Sequence, residues 1–180
     1  EAEGVTAGEE RDGVRFAPKL VASPFSTGTP EGGSTAALVD GGRGGEDDFA
    51  RLGEAAAGAF VLIETDELAD LAGLFAEYRA NAEIEPRAFT ADVAGVVYMG
   101  SRSRDVLYRH NAALGPANAT PVLVMERDGA RRALRLLRGG ADLTLAAHVE
   151  VRAGGAYESF NPIGEIAGSD LVGEIVVVGA

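Results

Sequence analysis

The residues of this chain that could do chemistry are few and widely spaced. There are two histidines, His110 and His148, and no cysteine. A zinc site needs at least three ligands converging within about 2.3 Å of the metal. His148 has Glu150 on the same face of its strand, and His110 stands beside Asn111 in a polar stretch. Both read first as ordinary surface histidines. No Gly-x-Ser-x-Gly elbow is present to offer a serine to a base. Gly41-Gly42-Arg43-Gly44-Gly45 follows a strand-like run, where a phosphate loop would sit. It lacks the Gly-Lys-Ser/Thr ending, does not fit Gly-x-Gly-x-x-Gly, and leads into Glu46, Asp47 and Asp48, which repel phosphate. These features favour a flexible turn. Arg131, Arg132, Arg135 and Arg138 lie largely off the apolar stripe of one helix among acidic neighbours, the pattern of a solvated face. Arg102 and Arg104, in a Ser-Arg-Ser-Arg stretch, are the better candidates for contact with a substrate or partner, with His110 close behind them. From the residues alone, the chain carries no self-contained catalytic constellation.

The bulk properties narrow the classes. At 180 residues, 46% hydrophobic and 24% charged, the chain has the composition of a globular protein with one domain, or one domain and a fragment. The net charge of −12 and pI of about 4.6 argue against a nucleic-acid or anionic-membrane partner, because phosphate neutralisation needs lysine and arginine. The lack of cysteine excludes disulfides and thiolate metal sites and leaves the compartment open. No apolar run approaches the roughly 20 residues of a membrane span. The chain begins at Glu1, so the absence of a signal peptide says nothing about export.

The elements that must position these residues follow from periodicity. Residues 1–13 are charged, glycine-containing and aperiodic, and read as a frayed end. Pro18 splits Val14–Ala22 into an edge strand or two short strands. Thr35–Asp40, Ala59–Ile63, Gly95–Met99 and Pro121–Met125 are apolar strands. One helical turn is expected over Phe49–Leu52, with an aspartate at its N-cap. A helix from about Asp66 to Ala82 would bury Leu68, Leu71, Ala72, Phe75, Tyr78 and Ala82. Pro86 would start a second helix ending at Gly95. Ser101–Ala119 reads as an irregular excursion. Asp128–Gly139 is a helix with the stripe Ala130, Ala133, Leu134 and Leu137. Asp142–Arg152 alternates as a strand with one wet face. Strands alternating with helices imply an α/β fold with parallel central strands and right-handed crossovers, flanked by antiparallel strands in an open-barrel rim.

The last stretch stands apart. Ile163–Ile166 and Glu174–Val178 are apolar strand candidates around the turn Gly168-Ser169-Asp170, with no sheet in this chain to receive them. They are expected to be unpaired or to seek an edge, and the chain to be a piece of a larger protein. Asn161-Pro162-Ile163-Gly164-Glu165-Ile166-Ala167-Gly168-Ser169-Asp170, followed by Glu174-Ile175-Val176-Val177-Val178-Gly179-Ala180, resembles the first two strands of the peptidase core in the two-zinc aminopeptidase and carboxypeptidase family (plasma glutamate carboxypeptidase-like). In that family His-x-Asp follows, and its histidine is the first zinc ligand. Pro162 and Gly164 depart from the pattern. The preceding part resembles the protease-associated domain inserted in those enzymes. The likeness rests on Phe60-Val61-Leu62-Ile63, on Arg87-Ala88 and Ala91 leading through Ala94-Gly95 into Val96-Val97-Tyr98, on Pro121–Val124, and on Asp128-Gly129 before the Leu134–Leu137 helix.

The resemblance implies a protease-associated domain over 14–153 and a linker with the first peptidase strands over 154–180. Such a domain is non-catalytic and controls substrate access or mediates protein interaction. The zinc ligands and general base would lie outside this sequence, so zinc is expected in the parent enzyme and no cofactor here. The partners implied are the parent peptidase domain and a peptide substrate, and the location extracellular or periplasmic. Two alternatives stay open: a free-standing module of the same architecture that binds a peptide or protein, and a small α/β enzyme using Gly41–Gly45 for an anion.

Overall fold

The computed structural model describes residues 2–7, 14–102, 106–109, 120–152, 158–166, 168–170 and 173–176. Its strands are β1 (Ala2–Ala7), β2 (Arg15–Phe16), β3 (Leu20–Ala22), β4 (Ser34–Asp40), β5 (Phe60–Ile63), β6 (Gly95–Met99), β7 (Val122–Met125) and β8 (Leu143–Ala147). Its helices are α1 (Glu46–Leu52), which continues into a 3-10 turn, α2 (Leu71–Thr90) and α3 (Arg127–Arg138). All the strands form one mixed sheet in the order β2-β1-β8-β4-β5-β6-β7-β3. The expected parallel centre is β4-β5-β6-β7, and the flanks β8, β1, β2 and β3 pair antiparallel.

The two short strands on either side of Pro18 lie at opposite edges of this sheet. Phe16 and Leu20 are four residues apart, so the edges lie within about 14 Å of each other along an extended chain. The sheet therefore curls toward closure, and the mixed α/β fold is a half-barrel. On one face β5, β6 and α2 pack Val61, Ile63, Val96, Tyr98, Ile84 and Ala88 together. On the other, α3 seats Ala130, Ala133 and Leu134 against Leu62, Val97 and Leu123. Every residue of β5, β6 and β7 is buried, because both faces of these strands are covered. A fully buried side chain of this size contributes about 1.5–3 kcal/mol. Within β8 the alternation is as expected, with Leu143, Leu145 and Ala147 buried and Thr144 exposed, but the strand expected to run to Arg152 ends at Ala147, and Val151 is exposed.

Several expectations need correction. Ala2–Ala7 is a strand in the sheet, held by backbone pairing to β8 and β2; a sequence pattern carries little sign of a strand whose main contribution is its ladder. The turn expected over Phe49–Leu52 is a two-turn helix beginning at Glu46, with Gly45 rather than an aspartate at its N-cap. The two helices expected around Pro86 are one helix, Leu71–Thr90. Pro86 lies in its last turns, where its missing N–H leaves only the Ala82 carbonyl unserved, and Thr90 donates its hydroxyl to the Pro86 carbonyl at 2.8 Å. The helix also turns the other way round from expectation. Leu71 is 67% and Phe75 54% exposed, while Glu77, Asn81, Ile84, Glu85 and Ala88 are buried. Of the last stretch, 163–166 and 174–176 form no strand, and Ile166 is 98% exposed.

Candidate functional site

A cleft of about 360 Å³ opens at the carboxyl ends of β5 and β6, where open α/β sheets hold their ligands. One wall is the chain after β5, Ile63 to Leu68. The other is α2, through Ala76, Glu77, Ala80 and Ile84, with Ser101, Arg109 and Arg43 completing it. The cleft is braced from below. Arg127 of α3 donates to the carbonyls of Thr65 (3.0 Å) and Gly100 (2.9 Å), tying the two strand ends together. Thr65 donates its hydroxyl to the Met99 carbonyl at 2.7 Å. At the rim Arg43 grips Asp66 with two hydrogen bonds of 2.6 and 2.8 Å, and Arg138 bridges Asp40 (2.8 Å) and Glu64 (2.6 Å).

The buried stripe of α2 explains why the helix faces as it does. Glu77, Asn81 and Glu85 repeat every fourth residue, one above the other on one side. Glu77 Oε2 accepts from Arg102 Nη1 at 2.8 Å and from Ser101 Oγ at 3.1 Å. Arg109 donates Nε (2.9 Å) and Nη2 (2.6 Å) to Asn81 Oδ1, and lies 4.0 Å from Glu77 Oε1. Its guanidinium stacks over the ring of Tyr98. Burial pulls the Arg109 guanidinium below its ordinary pKa, and the charges of Glu77 and Glu85 resist that pull. Burial pushes the Glu85 carboxyl up, against the attraction of Arg109, and it raises the Tyr98 phenol well above its usual value. Glu85 Oε1 and the Tyr98 hydroxyl have no hydrogen-bond partner among the described residues.

The glycine loop is closed by its own chain. Asp48 Oδ2 accepts from the amides of Arg43 (3.0 Å) and Gly45 (3.1 Å), and Asp40 Oδ1 accepts from that of Gly42 (2.9 Å). Gly42 and Gly44 adopt left-handed backbone, and a Cβ on Gly42 would lie 2.1 Å from Asp48 Oδ1. A carboxylate thus occupies the place a phosphate would take.

Of the residues singled out in the sequence, Arg102 is turned inward onto Glu77, with its guanidinium 5.8 Å from the Tyr108 ring centroid. Arg104 and His110 lie outside the described residues. His148 Nε2 lies 3.5 Å from Glu150 Oε1 beside a second cleft formed with Gly28–Gly32. Two ligands fall short of a zinc site, and among the described residues no group of three or more histidine or acidic side chains could hold a metal. The described residues therefore offer no ligand set for zinc. Glu77, Asn81, Glu85 and Arg109 were not singled out. The signal for the three on α2 is their four-residue spacing in line with Ile84 and Ala88; Arg109 carries no such local signal.

No protein-family model matches the sequence, and no curated protein matches it. Solved structures do share the fold. The chain is similar to a peptidase M28 precursor from Shewanella amazonensis SB2B (TM-score 0.57, 10% identity, 81% of this chain and 33% of that one). It is similar to a zinc aminopeptidase from Bacillus subtilis (TM-score 0.50, 20% identity, 81% and 30%) and to an aminopeptidase from Aneurinibacillus sp. strain AM-1 (TM-score 0.50, 20% identity, 83% and 30%). The chain spans about a third of the length of these proteins, and at such identities what is shared is the fold.

Proposed function

We propose that this chain is a non-catalytic, protease-associated type of domain from an exported bacterial zinc exopeptidase, which controls substrate access or protein contact, followed by the first strands of the peptidase domain. The observation that carries the reading is the fold match: most of this chain superposes on about a third of a zinc aminopeptidase. The last stretch supports it. Phe160, Ile163, Ile166, Ile175 and Val176 are exposed, and among the described residues 163–166 and 174–176 pair with no strand, which fits apolar segments that belong to another sheet.

The test is enzymatic. The purified chain with zinc and aminoacyl-nitroanilide substrates should give no turnover above buffer; clear hydrolysis by the pure chain would overturn the reading. The coding sequence supplies the second arm. A frame running on from Ala180 into His-x-Asp supports a peptidase domain, whereas a stop codon there favours a free-standing module that binds a peptide or protein.

A further inference from the structure

The turn that follows β3 carries a strain that folding alone does not call for. In Ser23-Pro24-Phe25-Ser26 the Ser26 amide donates to the Ser23 carbonyl at 3.1 Å. Pro24 takes the second position of the turn and Phe25 the third, with a φ of 63°. A turn of this type wants left-handed backbone at its third position, which is normally glycine. A bulky aromatic residue is strained there. Two buried serines hold it in place: the Ser23 amide donates to the Val122 carbonyl at 2.8 Å, and the Val122 amide donates to Ser26 Oγ at 2.8 Å. The ring so held is 58% exposed. A lone exposed phenylalanine is ordinary. One kept exposed on strained, doubly anchored backbone is the kind of feature that gathers at binding sites.

The strand that leads into this turn is open on one side. β3 is the last strand of the sheet. The Glu126 amide donates to the Lys19 carbonyl at 2.9 Å, and the Ser23 amide to that of Val122 at 2.8 Å. Val21 lies opposite Val124 between them. The residues bonded to β7 are therefore 19, 21 and 23, and the N–H and C=O groups of Leu20 and Ala22 point away from the sheet. Such an edge is a template for a further strand. Val21 and Ala22 are half-buried along it, and Lys19 is exposed at its start. Residues 14–30 carry Arg15 and Lys19 and no carboxylate, in a chain of net charge −12. Glu126 approaches this edge through Oε1, which accepts from the Lys19 amide at 3.3 Å.

We propose that the free edge of β3 and the ring of Phe25 together form a docking site for an extended polypeptide segment of a partner protein. The segment pairs with Leu20 and Ala22 through its backbone, lays an apolar side chain on Phe25 and carries a carboxylate toward Lys19. An extended strand is the occupant that both features recognise at once, because a helix has already spent its backbone groups and a small molecule has no ladder to offer. The basic run favours an acidic segment over a basic one. The choice of a protein partner rests on the protein-contact reading proposed above.

Fluorescence anisotropy tests this, with the 180-residue chain titrated into a fluorescein-labelled peptide, Glu-Val-Thr-Ile-Thr-Val-Glu. The acidic ends make the probe indifferent to strand direction. It should bind. The same peptide N-methylated at every amide keeps its side chains but cannot donate to an edge, and it should bind at least about tenfold more weakly. With lysine in place of both glutamates it should also bind more weakly. Phe25→Gly separates binding from folding. Glycine suits the third position of the turn, so the melting temperature should hold or rise, while affinity for the peptide falls at least about fivefold. A purely structural Phe25 would do the reverse, lowering the melting temperature and leaving affinity unchanged. No binding of the probe, equal binding of its N-methylated or lysine form, or unchanged affinity in Phe25→Gly would overturn the proposal. None of these results bears on the nitroanilide assay or the reading frame, which decide the accessory-domain reading separately.

Discussion

The guanidinium of Arg109 lies 4.0 Å above the centroid of the Tyr98 ring. Tyr98 is fully buried on β6, so the pair stacks in a desolvated setting where a cation–π contact is worth about 2 kcal/mol. The ring supplies that contact and the hydroxyl does not, since the hydroxyl has no hydrogen-bond partner among the described residues. Tyr98→Phe keeps the ring and removes a buried unsatisfied polar atom. The variant should be as stable as the parent or more so, by up to about 1–3 kcal/mol. Urea unfolding measures it, and a loss of stability would show that the hydroxyl is satisfied in solution.

Glu85 makes the pH response of the fold distinctive. Its carboxyl is pushed up by burial, against the pull of Arg109. Between the ordinary carboxyl value of about 4.3 and the raised one, the folded protein holds a proton that the unfolded chain has released. This contribution to stability therefore falls as pH rises through that window. Glu85→Gln removes the dependence. Unfolding midpoints from about pH 4.5 to 8 should decline with pH more steeply for the parent than for the variant; parallel curves would mean that Glu85 is ionised at no cost. Asp48 acts in the opposite sense. Desolvation pushes it upward, but hydrogen bonds from Arg51 and the amides of Gly45 and Arg43 prevail and hold it low. Its contribution is present above the ordinary carboxylate range and is lost on acidification below it.

Asp48 is also the closure of the glycine loop. Asp48→Ala strips the amides of Arg43 and Gly45 of their acceptor and Arg51 of its partner. The expected cost is about 1–2 kcal/mol, the size of a lost cap. Asp48→Asn, which keeps an acceptor oxygen, should recover part of it. Equal stability of the alanine variant and the parent would mean that water serves those amides as well as the carboxylate does.

What the sequence made legible is what packing on both faces dictates. Val61, Val97 and Leu123 sit in runs too apolar to be anything but central strands, and the stripe of Ala130, Ala133 and Leu134 could face only a core. The parallel centre and antiparallel rim follow from these. The face of α2 was not legible, because its partners are distant in the chain and charged. Glu77 is buried only because Arg102, 25 positions on, comes back to meet it. A hydrophobic pattern treats glutamate as a solvent residue whatever stands opposite, so it assigned Leu71 and Phe75 to the core. The cleft was missed for the same reason, since Arg109 becomes informative only beside Asn81 and Tyr98. Pro86 misled for a different one: its local rule is sound in mid-helix and weak near the end of a helix held by tertiary contacts.

Pro86 gives a direct check on the single helix. Were it the first residue of a new helix, its fixed φ would be an advantage, and alanine there would be neutral or harmful. In the last turns of Leu71–Thr90 it deprives the Ala82 carbonyl of a donor. Pro86→Ala should then raise stability by about 1–3 kcal/mol, less than or equal to the full interior cost of proline. A lower melting temperature would favour two helices.

The orientation of α2 decides whether the cleft exists as described, and paired substitutions on its two sides test it. Leu71 and Phe75 project from the side away from Glu77 and Ile84. Exposed apolar side chains contribute little, so Leu71→Lys with Phe75→Lys should change stability by no more than about 0.5 kcal/mol. Ile84 is packed with Val61, Ile63 and Ala88, and Ile84→Ala should cost about 2–5 kcal/mol through lost burial and the cavity left behind. Glu77→Ala should be costly as well, because it leaves Arg102 buried without its carboxylate. The opposite ranking, with the lysine pair unfolding the chain and Ile84→Ala tolerated, would mean that the helix buries its apolar stripe. In that case Glu77, Asn81 and Glu85 would face solvent, and Arg109 would have neither its amide partner nor a cleft to line.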